Sequence, residues 1–262
     1  MADAVTLEVE SGAATITLNR PDSLNSWNEE LGRDLAAALE RAGRSSEVRA
    51  VMITGAGRAF SSGADLAEQR AGAEGEVPDL SLRLRELYNP IILSVRELEK
   101  PVIAAVNGPA AGIGCSLALA CDMIVAAESS FFLLAFVNVG LVPDGGTTLT
   151  VPARVGAARA TEMAMLGERV PAPTALEWGL INRVVPDADL EAAAAGLLAQ
   201  LAGGPTRAYA NIKRLLNRGA YAGLAEQLDA EAEAQREQGR TADFVEGVVA
   251  FAQKRPPQFR GE

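Results

Sequence analysis

Histidine is absent from this chain of 262 residues. Its absence excludes mechanisms that depend on an imidazole base, such as the Ser-His-Asp triad and the Cys-His dyad, and it excludes zinc sites ligated by histidine. Any catalysis must therefore rest on carboxylates, hydroxyls, lysine, thiols or backbone amides.

Cysteine is scarce, with Cys115 and Cys121 as the only two. Their spacing fits no zinc or redox motif. We expect both to be small core residues of a reduced, cytoplasmic protein. The first ten residues carry acidic groups and no apolar run, so they do not resemble a signal peptide, and this too predicts a cytoplasmic location.

Basic residues are outnumbered, with 24 Lys and Arg against 34 Asp and Glu, for a net charge of −10. This balance argues against nucleic acid as a partner and against an anionic membrane surface. A long apolar run is also lacking, because the most apolar region, residues 112–127, is interrupted by Asp122. An anionic ligand must therefore find local positive charge or the N-terminus of a helix.

The residues that are present indicate a globular protein, with 48% hydrophobic and 22% charged residues. Residues 6–10 and 13–18 alternate like the strands of a hairpin, and residues 102–106 read as a buried strand. Ser26 and Glu29 form a capping-box pattern at the start of a predicted helix. Residues 82–98 have helical spacing that Pro90 interrupts.

Strands alternate with helices up to about Val185, and helices alone follow from Leu190. This order predicts an α/β core over residues 1–188 and a helical region over residues 189–262. No linker rich in glycine, serine or proline separates the two parts, so we expect them to pack together.

Two glycine-bearing loops follow predicted strands, at residues 59–66 and 107–116. Small residues let a ligand approach backbone N–H groups, and the second loop opens into a helix whose first amides are unpaired. Such loops could bind an oxyanion, although on pattern alone they are more often only turns. A dinucleotide fingerprint from Gly112 and Gly114 fails because Leu117 stands at the third glycine position.

Five ordered blocks resemble the crotonase (enoyl-CoA hydratase/isomerase) superfamily and together cover nearly the whole chain. They are residues 18–25 (LNRPDSLN), 57–66 (GRAFSSGADL), 106–108 (VNG) through 120–122 (ACD), 140–147 (GLVPDGGT) and 179–181 (GLI). The resemblance implies an α/β fold, a crotonase-like spiral of ββα units, with a C-terminal helical trimerisation region. It therefore also implies a homotrimer or a dimer of trimers.

The same resemblance implies an acyl-CoA thioester as the partner, with coenzyme A as part of the substrate and with neither a metal nor a separate cofactor. The oxyanion donors of the family correspond to the backbone amides of Ala64 and Ile113. Many relatives have glycine at the second position, but a main-chain donor tolerates this change. The resemblance places further substrate-binding residues around these donors, at Leu24, Ser62, Asp65, Leu66 and Gly112.

The two glutamates with which the family's hydratases hold and activate water are missing. Ser116 and Phe136 occupy the matching positions. Hydration needs a water molecule to be placed and deprotonated, and a phenylalanine would tend to exclude that water. We expect Phe136 to contact the acyl group instead, and the isomerases of the family become a better match than the hydratases.

Asp144 is the acid that remains, within residues 141–146 (LVPDGG). This segment resembles the epoxyphenylacetyl-CoA and enoyl-CoA isomerase branch, in which an aspartate moves the proton through an enolate. The residues alone favour another interpretation, in which Asp144 caps a helix that begins near Thr147. A cap would lower the pKa of Asp144, whereas a base needs apolar burial that raises it.

The C-terminal residues Phe251 and Lys254 resemble the family segment that contacts CoA, often from a neighbouring subunit. The alternative is a helix end with cations at its C-terminus. Residues 67–80 form a loop-like stretch that we expect to line the acyl pocket.

The sequence thus predicts an isomerase that shifts a double bond, or that isomerises a ring-derived acyl-CoA, with Asp144 as acid and base. The alternatives are a hydratase, another crotonase reaction such as dehalogenation, and a paralogue that binds acyl-CoA without catalysis.

Overall fold

The computed structural model describes residues 3–65 and 79–262. Its strands are β1 (Val5–Glu10), β2 (Ala13–Leu18), β3 (Ala50–Gly55), β4 (Val102–Val106), β5 (Ala110–Ala111), β6 (Met123–Ala127), β7 (Phe131–Leu133), β8 (Val170–Pro171) and β9 (Arg183–Val185). Its α-helices are α1 (Glu29–Arg44), α2 (Leu80–Arg83), α3 (Asn89–Glu97), α4 (Ile113–Ala120), α5 (Thr147–Leu166), α6 (Ala172–Glu177), α7 (Leu190–Gly203), α8 (Thr206–Ala220), α9 (Leu224–Gln238) and α10 (Ala242–Gln253).

The strands of the described ranges form two sheets. The larger has the order β1-β2-β3-β4-β6-β9, antiparallel between β1 and β2 and parallel elsewhere, and the smaller has the order β5-β7-β8. Two successive units, β4-β5-α4 and β6-β7-α5, each place their first strand in the large sheet and their second in the small one. These are the ββα units that the family resemblance implies, and the hairpin of β1 and β2 predicted from alternation is confirmed.

Both faces of the large sheet are covered. Every residue of β4 is buried, as expected for a central parallel strand. Val102 and Ala104 join the core cluster that contains Leu35 of α1, whereas Ile103 joins a second cluster with Leu197 and Leu201 of α7. The C-terminal helices therefore begin by packing on the sheet, as predicted.

Two local predictions differ from the structure. Helix α1 is capped by Asn28, whose side chain accepts a hydrogen bond from the Leu31 amide at 2.9 Å, so the predicted capping box at Ser26 is wrong. The predicted helix over residues 82–98 starts earlier, and a π turn at Leu84–Tyr88 separates α2 from α3 just before Pro90. Proline has no N–H for the helical ladder, and such turns often occur at functional sites.

Both cysteines lie in the core, as the sequence predicts. Cys115 and Cys121 are buried and unpaired, and burial raises the pKa of each thiol to about 12. Neither thiol is therefore a nucleophile near neutral pH. Within residues 3–65 and 79–262, the helices are either too short or too polar to cross a membrane.

Candidate active site

The two glycine-bearing loops lie side by side because a short parallel bridge joins them. Ser61 donates its amide to Pro109 O at 3.0 Å and accepts the Ala111 amide at 2.9 Å. Gly63, at φ 96°, approaches the second loop so closely that a Cβ there would lie 3.0 Å from Ala111 O. The convergence of the loops, which the sequence left open, is thus a consequence of strand pairing.

The Ala64 amide points away from the Trp27 segment, with which Ala64 forms a short parallel bridge. Trp27 donates to Gly63 O at 2.8 Å and accepts from the Asp65 amide at 3.0 Å. Ala64 lies between Gly63 and Asp65 in this parallel bridge with Trp27, so its own N–H points away from Trp27. Within residues 3–65 and 79–262, the Ala64 amide has no hydrogen-bond acceptor.

The Ile113 amide is the first of α4. Gly112 precedes it with φ 52° and ψ −132°, a conformation that glycine adopts without penalty, and donates its own amide to Leu133 O at 2.9 Å. The first amides of a helix have no intrahelical acceptor and lie at its positive end. In the part of the chain that the structure describes, the Ile113 amide also lacks an acceptor.

Both loops open onto one mainly apolar cavity of about 380 Å³. The cavity is therefore large enough for a small acyl group and combines two unpaired donors with an apolar wall. Its lining consists of Ser62, Gly63, Ala64, Asp79, Leu80, Arg83, Leu84, Tyr88, Gly112, Ile113, Leu133, Ala135, Phe136, Asn138, Val139, Leu141, Asp144, Gln235 and Phe251.

Asp144 lines this cavity and is 5% exposed. Burial, followed by the neighbouring charge of Glu231, raises the pKa of the Asp144 carboxyl well above its usual range. Its Oδ2 accepts a long hydrogen bond from Gln235 Nε2 at 3.4 Å, and its Oδ1 has no partner among the described residues. Such a carboxyl is suited to exchanging protons with a ligand.

Asp144 does not cap the helix that follows it. Helix α5 begins at Thr147 with Gly146 as its N-cap residue, and no side chain of that residue is available for capping. Glu231 of α9 supplies the cap instead: its Oε2 accepts the Gly146 amide at 2.7 Å and its Oε1 accepts the Thr148 amide at 3.0 Å. The helix N-terminus thus binds Glu231 and leaves Asp144 in its apolar surroundings.

Sequence reasoning missed Glu231 and Gln235. They lie four apart on α9, so both face the same way, and both are buried. Gln235 also donates to Val142 O at 2.6 Å. The available signal was their i,i+4 spacing in a helix rich in charged residues, but that pattern ordinarily indicates a solvated face.

The two positions without glutamate have clear structural roles. Ser116 Oγ contacts Gly112 O at 3.2 Å and Asp144 O at 3.0 Å, so the hydroxyl links α4 to the Asp144 loop. Phe136 lines the cavity and is 7% exposed. Together they place a structural hydroxyl and an apolar ring at the two positions where the family resemblance predicts acids in a hydratase.

The other predicted site residues are distributed around the cavity. Phe251 and Ser62 line it, whereas Leu24, Asp65 and Lys254 are absent from its lining within the described ranges. Leu24 O accepts the Ser62 amide at 2.9 Å. Asp65 accepts from Ser26 Oγ at 3.1 Å and pairs with Arg20 at 3.2 Å, which anchors the first loop. Lys254 is exposed at the end of α10.

Leu66 and most of the predicted pocket loop over residues 67–80 lie outside the described residues. The end of that loop is described, and Asp79 and Leu80 do line the cavity. Asp79 is engaged locally: its Oδ1 accepts from the Ser81 amide at 3.0 Å and from Ser81 Oγ at 2.6 Å, and these bonds lower its pKa.

Comparison with known proteins identifies the family. The family model described as enoyl-CoA hydratase/isomerase matches residues 8–262. The chain is 44% identical to the 1,2-epoxyphenylacetyl-CoA isomerase of Escherichia coli K12 over 100% of both chains. It is 46% identical to a probable enoyl-CoA hydratase of Rhodobacter capsulatus, over 97% of this chain and 96% of the other.

A solved structure agrees. The crystal structure of an enoyl-CoA hydratase from Mycobacterium avium subsp. paratuberculosis matches with a TM-score of 0.88 and 41% identity over 98% of each chain. The predicted crotonase-like fold is confirmed. The chain belongs to the enoyl-CoA hydratase/isomerase family of enzymes that act on acyl-CoA thioesters.

Proposed function

We propose that this protein is an acyl-CoA isomerase that shifts a double bond, or isomerises a ring-derived acyl group, through an enolate. The observation that carries the proposal is that three residues line one cavity: Ala64 and Ile113, whose amides have no acceptor among the described residues, and Asp144 with its buried carboxyl. Named relatives include both an isomerase and a probable hydratase, so their names alone do not decide between the reactions.

The amides of Ala64 and Ile113 would receive the thioester oxygen. Removing a proton from the carbon next to the thioester leaves an electron pair that moves onto this oxygen. Backbone donors held in place for that charge typically contribute about 3 kcal/mol each to the transition state. The bridges to Trp27 and Pro109 fix both donors before the substrate arrives, so no reorganisation is needed.

Asp144 would move the proton. Its carboxylate takes the proton from the carbon next to the thioester, the double bond shifts as the enolate forms, and the resulting carboxylic acid returns the proton further along the acyl chain. A base works best when its pKa is close to the working pH, and burial raises the pKa of Asp144 in that direction. The sequence of steps is balanced without metal or redox cofactor, and coenzyme A serves only as part of the substrate.

Two features favour isomerisation over hydration. The Ser116 hydroxyl is committed to backbone oxygens, and Phe136 presents a ring rather than an acid. The other carboxylate that lines the cavity in the described part of the chain, Asp79, is bound to Ser81 and has a lowered pKa. A pair of free carboxylates that could hold and deprotonate a water is thus lacking among the described lining residues.

The products formed from matched substrates test the proposal. Incubated with a 3-enoyl-CoA, the protein is expected to form the 2-enoyl-CoA, whereas a 2-enoyl-CoA is expected to be hydrated at least about 100-fold more slowly. Chromatographic separation of the products, followed by mass spectrometry, measures both rates. A 3-hydroxyacyl-CoA as the main product would establish hydratase activity instead, and a covalent acyl adduct on Asp144 would indicate the nucleophilic chemistry of another crotonase reaction.

Gly63→Ala tests the oxyanion donors separately. The new Cβ would lie 3.0 Å from Ala111 O at φ 96°, so the loop must give by a few tenths of an ångström and carry the Ala64 amide with it. A displacement near 1 Å can cost about 100-fold in rate, so for this smaller shift we expect kcat/KM for the 3-enoyl-CoA to fall about tenfold. Gly12→Ala, at φ 84° in the distant β1-β2 turn, imposes comparable strain and should leave the rate unchanged. Equal losses in both variants would contradict the oxyanion role.

We further propose that the chain assembles as a homotrimer or a dimer of trimers and that Phe251 and Lys254 contact coenzyme A. Support comes from exposed apolar side chains in the C-terminal half, including Met165 at 70% and Phe251 at 65% exposure, because surfaces of this kind are typical of interfaces or ligand sites.

A further inference from the structure

Side chains of helix α9 form hydrogen bonds with the backbone of the turn that carries Asp144. The N-terminus of α5 has a glycine at its N-cap position and therefore lacks a local side-chain acceptor. The carboxylate of Glu231, which lies on a helix more than 80 residues later in the chain, is the acceptor instead. It accepts hydrogen bonds from the Gly146 amide at 2.7 Å, from the Thr148 amide at 3.0 Å and from Thr148 Oγ1. Glu231 is 4% exposed, so its carboxyl group is buried together with these three donors.

The bonds to Glu231 act on the turn between Asp144 and α5 together with two bonds to Asp144 O, from Ser116 Oγ at 3.0 Å and from Thr147 Oγ1 at 2.8 Å. Gly145 and Gly146 adopt φ 62° and 79°, a left-handed pair that carries little intrinsic preference for one conformation. A Cβ on Gly145 would lie 2.5 Å from Ser116 Cβ, so the turn is pressed against α4 on one side. The bond from Glu231 to Gly146, two residues beyond Asp144, holds it on the other side.

Gln235 lies one helical turn after Glu231 and holds the chain on the other side of Asp144. Its Nε2 donates to Val142 O at 2.6 Å and contacts Asp144 Oδ2 at 3.4 Å. One face of α9 therefore fixes the backbone both before and after the carboxyl group.

The charge of Glu231 also acts on Asp144. Burial raises the pKa of the Glu231 carboxyl, the hydrogen bonds from Thr148 and Gly146 oppose that shift, and the charge of Glu231 adds to burial in raising the pKa of Asp144. Among the described residues that line the cavity, the other charged groups are Asp79, the N-cap residue of α2, and Arg83, the last residue of α2.

We propose that Glu231 is a positioning residue for Asp144, which acts together with Gln235 to fix the turn that carries the Asp144 carboxyl. The inference rests on the proposed role of Asp144. It extends the active site to a helix that contributes no group to the oxyanion loops.

Glu231→Gln is the main test, because it keeps the shape of the side chain and removes its charge. We expect kcat for the 3-enoyl-CoA to fall about tenfold with KM within about twofold, since the carboxyl is misplaced while substrate contacts remain. Loss of the neighbouring negative charge lowers the pKa of Asp144, so the acidic limb of the kcat–pH profile is expected to move to lower pH. Carboxyl-carbon NMR of protein labelled at aspartate, with the Asp144 signal assigned by its absence in Asp144→Asn, measures this pKa without turnover.

Glu233→Gln is the matched control. Glu233 lies on the same helix but pairs with Arg85 and Arg236 at the surface, so its variant should retain both the wild-type kcat and the wild-type pKa of Asp144. Gln235→Leu removes a donor but no charge, and it is expected to lower kcat several-fold without lowering that pKa. If Glu231→Gln does not fold, Glu231→Asp, which keeps the charge but shortens the reach to Gly146 and Thr148, is expected to lower kcat without a change in KM, and a wild-type kcat in that variant would overturn the inference.

A wild-type kcat and an unmoved Asp144 signal in Glu231→Gln would overturn the inference, as would a loss of activity that only follows the unfolded fraction. Its failure is distinguishable from failure of the proposed function. Full activity in Asp144→Asn would refute Asp144 as the base, whereas an inactive Asp144→Asn beside an unaffected Glu231→Gln would remove only the role of Glu231.

Discussion

Asp144→Asn is expected to lower kcat for isomerisation of a 3-enoyl-CoA by about 1,000-fold. A positioned acid or base contributes roughly 100- to 10,000-fold, and in this cavity the same group would both take and return the proton. The substitution preserves volume and keeps an oxygen for the long bond from Gln235, so substrate contacts remain and KM should change little. Steady-state kinetics of 2-enoyl-CoA formation measures both quantities.

The same variant is expected to be more stable than the wild type at neutral pH. The native-state pKa of Asp144 is raised above its ordinary value of 3.8, so between that value and the native pKa the folded state binds more protons than the unfolded state. Stability therefore falls as pH rises through this window, and the asparagine variant does not suffer that loss. Thermal denaturation at several pH values should give a higher Tm for Asp144→Asn at pH 7.5 and a diminishing difference towards pH 4.

Asp79→Asn serves as the control, because Asp79 is the other described carboxylate of the cavity and asparagine can still cap α2. It should leave kcat within about threefold of the wild type. Comparable losses in the two variants would argue that negative charge in the cavity matters in general, and an active Asp144→Asn would refute the assignment of the base.

The sequence predicted several strands of the sheet correctly because hydrophobic periodicity directly reflects which residues are buried. The hairpin of β1 and β2 and the buried strand β4 follow from alternation and from an apolar run, and the structure confirms them. The helix caps were harder to predict. Ser26 and Glu29 satisfy a local pattern, but Ser26 Oγ is engaged by Arg20 and Asp65, which leaves Asn28 as the cap.

In the candidate site, too, local features could be predicted from the sequence and long-range contacts could not. The loops that present Ala64 and Ile113 were visible as glycine-bearing segments, but their meeting depends on the bridge between Ser61 and Ala110, which are 49 positions apart (110 − 61). The capping interpretation of Asp144 was locally sound and is wrong, because Glu231 reaches that helix N-terminus from a distant helix. A single sequence shows no such long-range partner, so the environment that raises the pKa of Asp144 could not be read from it.

Asp122→Asn is expected to destabilise the fold by about 3 kcal/mol. Asp122 lies between two buried cations, with Oδ1 3.2 Å from Arg96 Nη1 and Oδ2 2.9 Å from Lys213 Nζ, and its Oδ2 also accepts the Val102 amide at 2.8 Å. Asparagine can still bind the Val102 amide, so the loss isolates the charge. Both cations remain buried, at 5% and 6% exposure, without their shared anion.

The expected loss corresponds to a decrease in Tm of roughly 6–12 °C for a chain of this size. Urea denaturation measures the free energy of unfolding, and Glu40→Gln, which breaks the exposed pair with Arg44, should change it by no more than about 0.5 kcal/mol. A loss as small as this control would show that solvent reaches the Asp122 cluster.

The pH dependence of the Asp122→Asn deficit distinguishes buried charge from lost packing. Burial lowers the pKa of Lys213, and Asp122 opposes that shift, so the variant should lower this pKa further. A lysine whose native pKa lies below its unfolded value makes the protein more stable as pH rises through the window between the two. The difference in unfolding free energy between variant and wild type should therefore narrow from pH 7 towards pH 10, whereas a deficit that arises only from packing would stay constant.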